Sequence, residues 1–263
     1  MSATSEKTVE LSAQAYGQGH ETIVILHGLL GSGRNWSSIA KRLAERHKVL
    51  TLDLRNHGSS AWATGMSYPL MAADVRAYIE QNALGPVTVI GHSMGGKTAM
   101  RLALSAPSLV ERLVVVDIAP VEYDHSTGAY VEAMRKLDLD GLTSRNDVDE
   151  RLEEAVPEPV IRAFLLQNLM RQDDGFAWRP NLEALAAAMP DLMAFPVGEH
   201  DHYRGPTLFL AGASSDYVQT AHRAAIKQLF TKADIRMIAD AGHWVHAEQP
   251  AAFLAHLQDF LKS

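Results

Sequence analysis

The feature that most constrains this chain is a recurring alternation of short, unbroken apolar runs with stretches of helical periodicity. The runs are "ETIVILHG" (21–28), "HKVLTLDL" (47–54), "PVTVIGHS" (86–93), "ERLVVVDIAP" (111–120), "GPTLFLAG" (205–212) and "ADIRMIAD" (233–240). Side chains of a strand alternate between two faces, so an unbroken apolar run requires cover on both, as in a parallel strand inside a sheet. The intervening "NWSSIAKRLAERH", "PLMAADVRAYIEQNAL", "GGKTAMRLALSAPSLV", "AHRAAIKQLFTKA" and "PAAFLAHLQDFLKS" carry apolar residues at helical spacing and can supply it. The expected class is α/β, a mostly parallel sheet with helices on both faces. "TVELSAQAYG", near the start, alternates instead and predicts an antiparallel edge hairpin.

One interval breaks the rhythm. Between Val121 and Tyr203 no strand pattern stands out, and helix-like segments fall at about 127–138, 144–155, 158–170 and 181–190. The chain is read as leaving its sheet after "VVVDIAP" and returning at "RGPTLFL". Residues 1–120 and 204–263 then form the core, and 121–203 a helical insertion.

Composition narrows the partners. Of 263 residues 47% are hydrophobic, enough for a full core, and the net charge of -7 with scattered Lys and Arg leaves no basic face for nucleic acid. The absence of cysteine removes disulfides, thiolate metal sites and Cys nucleophiles together. The polar N-terminus lacks the basic and apolar regions of a secretory signal, and no run approaches the roughly 18 apolar residues of a membrane span. The expectation is a soluble cytoplasmic protein acting on a neutral or weakly charged small molecule.

The chemistry centres on "VIGHSMGGKTA" (89–99). Ser93 stands between Gly91 and Gly95, with a buried strand before it and a helix directly after. A strand-to-helix turn this sharp needs glycines on either side and holds its apex residue proud of the sheet, at a helix N-terminus that favours developing negative charge. A serine hydroxyl needs a base, and "DAGHWVHAEQP" (240–250) offers His243 on a loop beyond the last strand, with Gly242 to aim it and His246 as a rival. "LHGLLGSGRNW" (26–36) supplies a glycine-rich loop after the first buried strand, where the Leu29 N–H can face that of Met94 to form an oxyanion hole. It lacks the spacing of a phosphate-binding loop.

"HGLLGS", "DLRNHGSS", "GHSMGG" and "DAGHWVHAEQP", in this order, resemble the α/β-hydrolase fold superfamily over nearly the whole chain. "DLRNHGSS", "GHSMGGKTAM" and "VVVDIAPVEY" together are similar to small bacterial esterases of the YbfF type. The resemblance implies an α/β-hydrolase fold with an inserted helical cap over the site. It also implies a serine carboxylesterase with a Ser-His-Asp triad, free of metal and organic cofactor.

Two acids are open. In the superfamily at large the acid follows the penultimate strand, where "FLAGASSDYV" has Asp216. In the closer esterases it can end the strand after the nucleophile, where "VVVDIAP" has Asp117, and the "DIAPVEY" context favours Asp117. Other hydrolase chemistry on the same fold, on thioesters or carbon-carbon bonds or as a perhydrolase, stays open, as does a non-catalytic ligand-binding member.

The remaining conspicuous residues have mostly structural readings. Asp53, Arg55, Asn56 and His57 read as a brace for the oxyanion loop, with His27 as its buttress. Asn35, Trp36, His92 and Trp244 are pocket candidates together with His27. Met134, Leu137, Phe164, Leu165 and Met189 are candidates for an apolar ceiling. Asp124, His125, His200, Asp201 and His202 look superficially like a metal set but read as surface loops.

Overall fold

A computed structural model of the chain describes residues 7–124, 128–173 and 175–262. It begins with β1 (Ala13–Tyr16), β2 (Thr22–Leu26), α1 (Ser37–Leu43), β3 (Lys48–Leu52), α2 (Tyr68–Gln81), β4 (Val87–His92), α3 (Met94–Ser105) and β5 (Val110–Val116). The interval that follows holds α4 (Gly128–Lys136), α5 (Arg145–Leu152), α6 (Pro159–Leu165), a hairpin of β6 (Leu169–Gln172) and β7 (Gly175–Trp178), and α7 (Leu182–Met193). The chain then closes with β8 (Thr207–Gly212), α8 (Arg223–Leu229), β9 (Ala233–Ile238), α9 (Val245–Glu248) and α10 (Pro250–Lys262).

The main sheet has seven strands in the order β1-β3-β2-β4-β5-β8-β9. The six apolar runs form its parallel part, and β5 shows why they had to be apolar throughout. Leu113 and Val115 enter the core beneath α2 and α3, whereas Val114 and Val116 enter the core beneath α1 and α10. None of the four is exposed. Each such side chain contributes about 1.5–3 kcal/mol relative to leaving it in water, so a polar residue at any of them costs a large part of a domain's net stability.

From β2 the chain passes to β3 on one side, and then returns to β4 on the other. Connections therefore diverge from the C-terminal ends of β2 and β4, which opens a crevice between two adjacent strands. Among the described residues no helix is long and apolar enough to cross a membrane.

Two expectations are corrected. β1 is an antiparallel edge strand, but it pairs with β3, Ala13 opposite Leu52, and so forms no hairpin with its sequence neighbour β2. The interval between β5 and β8 is not wholly helical. β6 and β7 pair antiparallel from Leu169 opposite Trp178 to Gln172 opposite Gly175, and Gly175 takes φ +139°. Their residues are half-buried or exposed, so the pattern resembles the amphipathic surface of the helices around it.

Candidate active site

Ser93 directly follows β4 and caps α3, with φ 52° and ψ −118°. That is a costly conformation for a residue with a side chain, and the turn exists because its flanking glycines leave no Cβ. A Cβ on Gly91 would lie 2.2 Å from the Gly95 carbonyl oxygen, and one on Gly95 would lie 2.4 Å from that of Leu26. The first turn of α3 thus rests on the end of β2. The Ser93 N–H donates to the Val116 carbonyl at 3.0 Å, which ties the turn to β5.

Asp117 is the next residue of β5's own exit, also at positive φ, 51°, and fully buried. Its Oδ1 accepts the Gly212 N–H at 3.0 Å, and its Oδ2 accepts the Ser215 hydroxyl and, at 2.8 Å, His243 Nδ1. A carboxylate only accepts, so Nδ1 carries the proton and Nε2 is left as the basic nitrogen. The Tyr217 ring stacks on the imidazole at 4.1 Å, and His92 Nε2 holds the His243 carbonyl at 2.9 Å. Of the two acids the sequence leaves open, Asp117 meets the histidine. Asp216 is exposed, and its backbone carbonyl accepts from Gln219. The loop after β8 reaches inward one position earlier, through the hydroxyl of Ser215.

The glycine-rich loop after β2, which carries Leu29, is held by buried imidazoles in fixed tautomers. His57 Nε2 accepts the Leu30 N–H at 3.1 Å, so its Nδ1 donates to the Arg55 carbonyl at 2.9 Å. His27 Nε2 likewise accepts the Leu54 N–H at 3.0 Å while Nδ1 donates to the Gly28 carbonyl at 2.8 Å. Burial, reinforced by His27, pushes His57 down to about 3, and burial also lowers His27. Both stay neutral, as the bonds require. Asp53 Oδ1 takes the Gly33 N–H at 2.7 Å, and Asn168 Nδ2 grips the Leu30 carbonyl at 2.7 Å from above. Among the described residues the Leu29 and Met94 amides enter no loop, turn or side-chain hydrogen bond.

Beside Ser93 and His243 lies a pocket of about 290 Å³, lined by His27, Leu29, Asn35, Trp36, His92 and Trp244 among others. Trp36 stacks on His246 at 4.0 Å, and burial followed by the charge of His243 pushes His246 down to about 3. Asn35 folds back to accept the Ser32 N–H and donates to Gln167 across the mouth. Phe164 and Leu165 line the ceiling with Tyr130 and Ile161. Met134, Leu137 and Met189 do not line it. Met134 is fully buried, Met189 packs on the same core, and Leu137 belongs to a separate apolar cluster. A second cavity, of about 30 Å³, touches Ser93, Leu29 and Met94 and is walled by Tyr68, Lys97, Leu192 and Met193.

The apparent metal set disperses. Asp201 pairs with Arg101, and His202 Nδ1 faces the His200 carbonyl, while His125 lies outside the described residues. No group of three or more His, Cys, Asp or Glu among the described residues is placed to hold an ion. Ser215, Asn168 and Lys97 escape sequence reasoning, because each acts through a partner far along the chain.

A mostly parallel sheet that delivers a serine to the first turn of a helix, and a carboxylate-tethered histidine to the same rim, defines the class of α/β hydrolases. The chain belongs to the alpha/beta hydrolase family, whose model matches residues 23–256. It is 44% identical over 247 residues to sn-1-specific diacylglycerol lipase ABHD11 of Mus musculus, covering 91% of this chain and 80% of that protein. It is 34% identical over 241 residues to esterase YbfF of Escherichia coli (strain K12), covering 91% and 92%. In structure it is similar to a marine microorganism esterase, with TM-score 0.93 and 36% identity over 96% of this chain and 100% of that one.

Proposed function

We propose that this chain hydrolyses carboxylic esters through an acyl-enzyme on Ser93. The observation that carries the reading is the bond from His243 Nδ1 to the buried Asp117, on the same rim as a serine at the apex of a strand-to-helix turn. The relatives named as lipase and esterases support it. Residues 121–203 serve as a cap over a catalytic core of residues 1–120 and 204–263.

His243 Nε2 takes the Ser93 hydroxyl proton as the oxygen attacks the ester carbonyl. Asp117 holds the imidazole in the tautomer that can accept, and stabilises the imidazolium that results. The carbonyl oxygen becomes negative and is met by the Leu29 and Met94 N–H groups, each worth about 3 kcal/mol of barrier in comparable sites. Collapse of the tetrahedral adduct breaks the bond to the alcohol, which leaves with the proton from His243. Water, deprotonated by the same nitrogen, then attacks the acyl carbon, and its collapse frees the acid and returns the proton to Ser93. The aromatic and aliphatic walls of the larger pocket suit an apolar arm of the ester.

Ser93→Ala is the direct test. The variant is expected to keep its circular dichroism spectrum and melting temperature and to lose turnover of p-nitrophenyl butyrate. Wild-type rates in that variant would remove the serine from the mechanism.

A further inference from the structure

Lys97 stands one helical turn beyond Ser93 and is 1% exposed, yet it forms no ion pair with any carboxylate among the described residues. Its ammonium donates instead to the carbonyls of Met193 at 2.8 Å and Ala194 at 3.0 Å, where α7 ends. It also lies over the rings of Tyr123 and Tyr68, at 4.8 Å and 5.5 Å from their centroids.

The last carbonyls of a helix have no partner within it and gather the negative end of its dipole. At α7 the core supplies those partners. The Tyr68 hydroxyl donates to Leu192 at 2.7 Å, the Tyr123 N–H donates to Met193 at 3.2 Å, and Lys97 adds the only cation among these donors. A methionine would occupy the same volume without the cost of burying a charge. What the ammonium adds is a grip on the negative end of a helix that belongs to the inserted segment.

The grip bears on the site. Leu192 and Met193 wall the 30 Å³ cavity, which shares Ser93, Leu29 and Tyr217 with the 290 Å³ pocket. An ester carbonyl held at Ser93 has two arms and here meets two spaces of unequal size. A single water needs about 10–15 Å³ of such space, so the smaller cavity takes about two or three non-hydrogen atoms.

We propose that Lys97 is a positioning residue that pins the end of α7 to the nucleophile helix, so that Leu192 and Met193 confine one arm of the ester to about two or three non-hydrogen atoms. The consequence for substrates rests on the esterase reading, whereas the pin does not. Burial draws the ammonium down to about 7, with Glu122 opposing, and the Tyr68 and Tyr123 hydroxyls, pushed up by burial, stay protonated beside it. The neutral amine donates more weakly, so the pin loosens as pH rises through neutrality.

The test compares the full-length wild type with Lys97→Met at pH 6.5 and 8.5. Three quantities are read: amide deuterium exchange over residues 188–195, corrected for intrinsic rate; kcat/KM for p-nitrophenyl acetate over hexanoate; and fluorophosphonate labelling of Ser93 by intact mass. The aryl group is too large for the small cavity, so the acyl chain reports on it. Lys97→Met is expected to be labelled, to exchange at least tenfold faster at pH 6.5, and to lose at least tenfold of the preference for acetate. The wild type is expected to lose part of that preference at pH 8.5, and the variant to show no such pH dependence. Unchanged exchange in the variant overturns the pin. Faster exchange with an unchanged preference overturns the wall. A wild type that is neither labelled nor active overturns the esterase reading, while exchange still decides the pin. Should Lys97→Met not fold, Lys97→Gln replaces it in the same comparison, and unchanged exchange over residues 188–195 at pH 6.5 overturns the pin.

Discussion

Asp117 and His243, 126 positions apart, meet through a 2.8 Å bond between Oδ2 and Nδ1. The carboxylate is fully buried and holds its geometry through the Gly212 N–H and the Ser215 hydroxyl. Asp117→Asn keeps the shape but can present an N–H to Nδ1, favouring the tautomer that cannot take the serine's proton. The expected result is a fall of about 10⁴-fold in kcat, whereas Asp216→Asn, in solvent, stays within about twofold. Steady-state kinetics on a p-nitrophenyl ester compares the two, and the reverse ranking would transfer the role to Asp216.

The loop after β2, proposed to supply the oxyanion donor Leu29, is gripped from both sides at Leu30, a non-glycine residue at φ 57° whose N–H is held by His57 and whose carbonyl is held by Asn168. Asn168 is 4% exposed, so Asn168→Ala leaves a buried carbonyl without that partner, at about 1–3 kcal/mol. Because Leu29 is the neighbouring residue, the loss is felt where the oxyanion forms. We expect kcat to fall by about ten- to a hundredfold with KM nearly unchanged, the signature of an interaction made chiefly in the transition state. A lower melting temperature with an unaltered kcat would make Asn168 a support of the fold alone.

The two acids show where legibility in the sequence stops. The buried strands declare themselves because each requires apolar residues on both faces, and the strand-serine-helix turn because its close approaches demand glycines at fixed offsets. Asp117 and Asp216 each follow such a strand on the same rim, and only the path of the loop after β8 separates them. That path turns Ser215 inward and leaves Asp216 outside. Lys97 is harder still, since nothing local marks a lysine in a helix as buried, and the carbonyls it serves lie 96 and 97 positions away. The β6–β7 hairpin is missed for another reason: its half-exposed strands carry no apolar run, although Asp-Asp-Gly between "LMRQ" and "FAW" is a turn signal.

The buried imidazoles make the fold sensitive to acid. Burial holds His57 and His246 down to about 3 and lowers His27 and His92 as well. A folded value below the 6.5 of free imidazole means that the unfolded chain takes up protons first as pH drops. The stability is therefore fully present above pH 6.5 and is lost progressively between 6.5 and about 3. At pH 5 the loss is about 2 kcal/mol for each fully neutral histidine. His246→Phe preserves the stack on Trp36 and removes one titration, so the drop in unfolding free energy from pH 7 to pH 5 is expected to shrink by about 2 kcal/mol. Urea denaturation at the two pH values measures it, and an undiminished drop would exclude His246 as a source.

The packing of the nucleophile turn on β2 leaves no room for a side chain at Gly95. A Cβ there would lie 2.4 Å from the Leu26 carbonyl oxygen and 2.5 Å from that of His27, both backbone atoms that lead into the oxyanion loop. The strand end and α3 must separate to admit it, which is overpacking of about 1–3 kcal/mol or more at the place where nucleophile and oxyanion donors are set against each other. Gly141 offers the contrast: it takes φ +74° with nothing within 4 Å of a Cβ, so alanine there costs about 1 kcal/mol of backbone strain and leaves the site untouched. Gly95→Ala is therefore expected to melt well below Gly141→Ala and to lose nearly all esterase activity in whatever fraction folds, while Gly141→Ala retains wild-type kcat. Differential scanning fluorimetry with active-site titration by a fluorophosphonate separates the two effects, and a Gly95→Ala protein with wild-type activity per labelled site would show that the close approach to β2 does not position the chemistry.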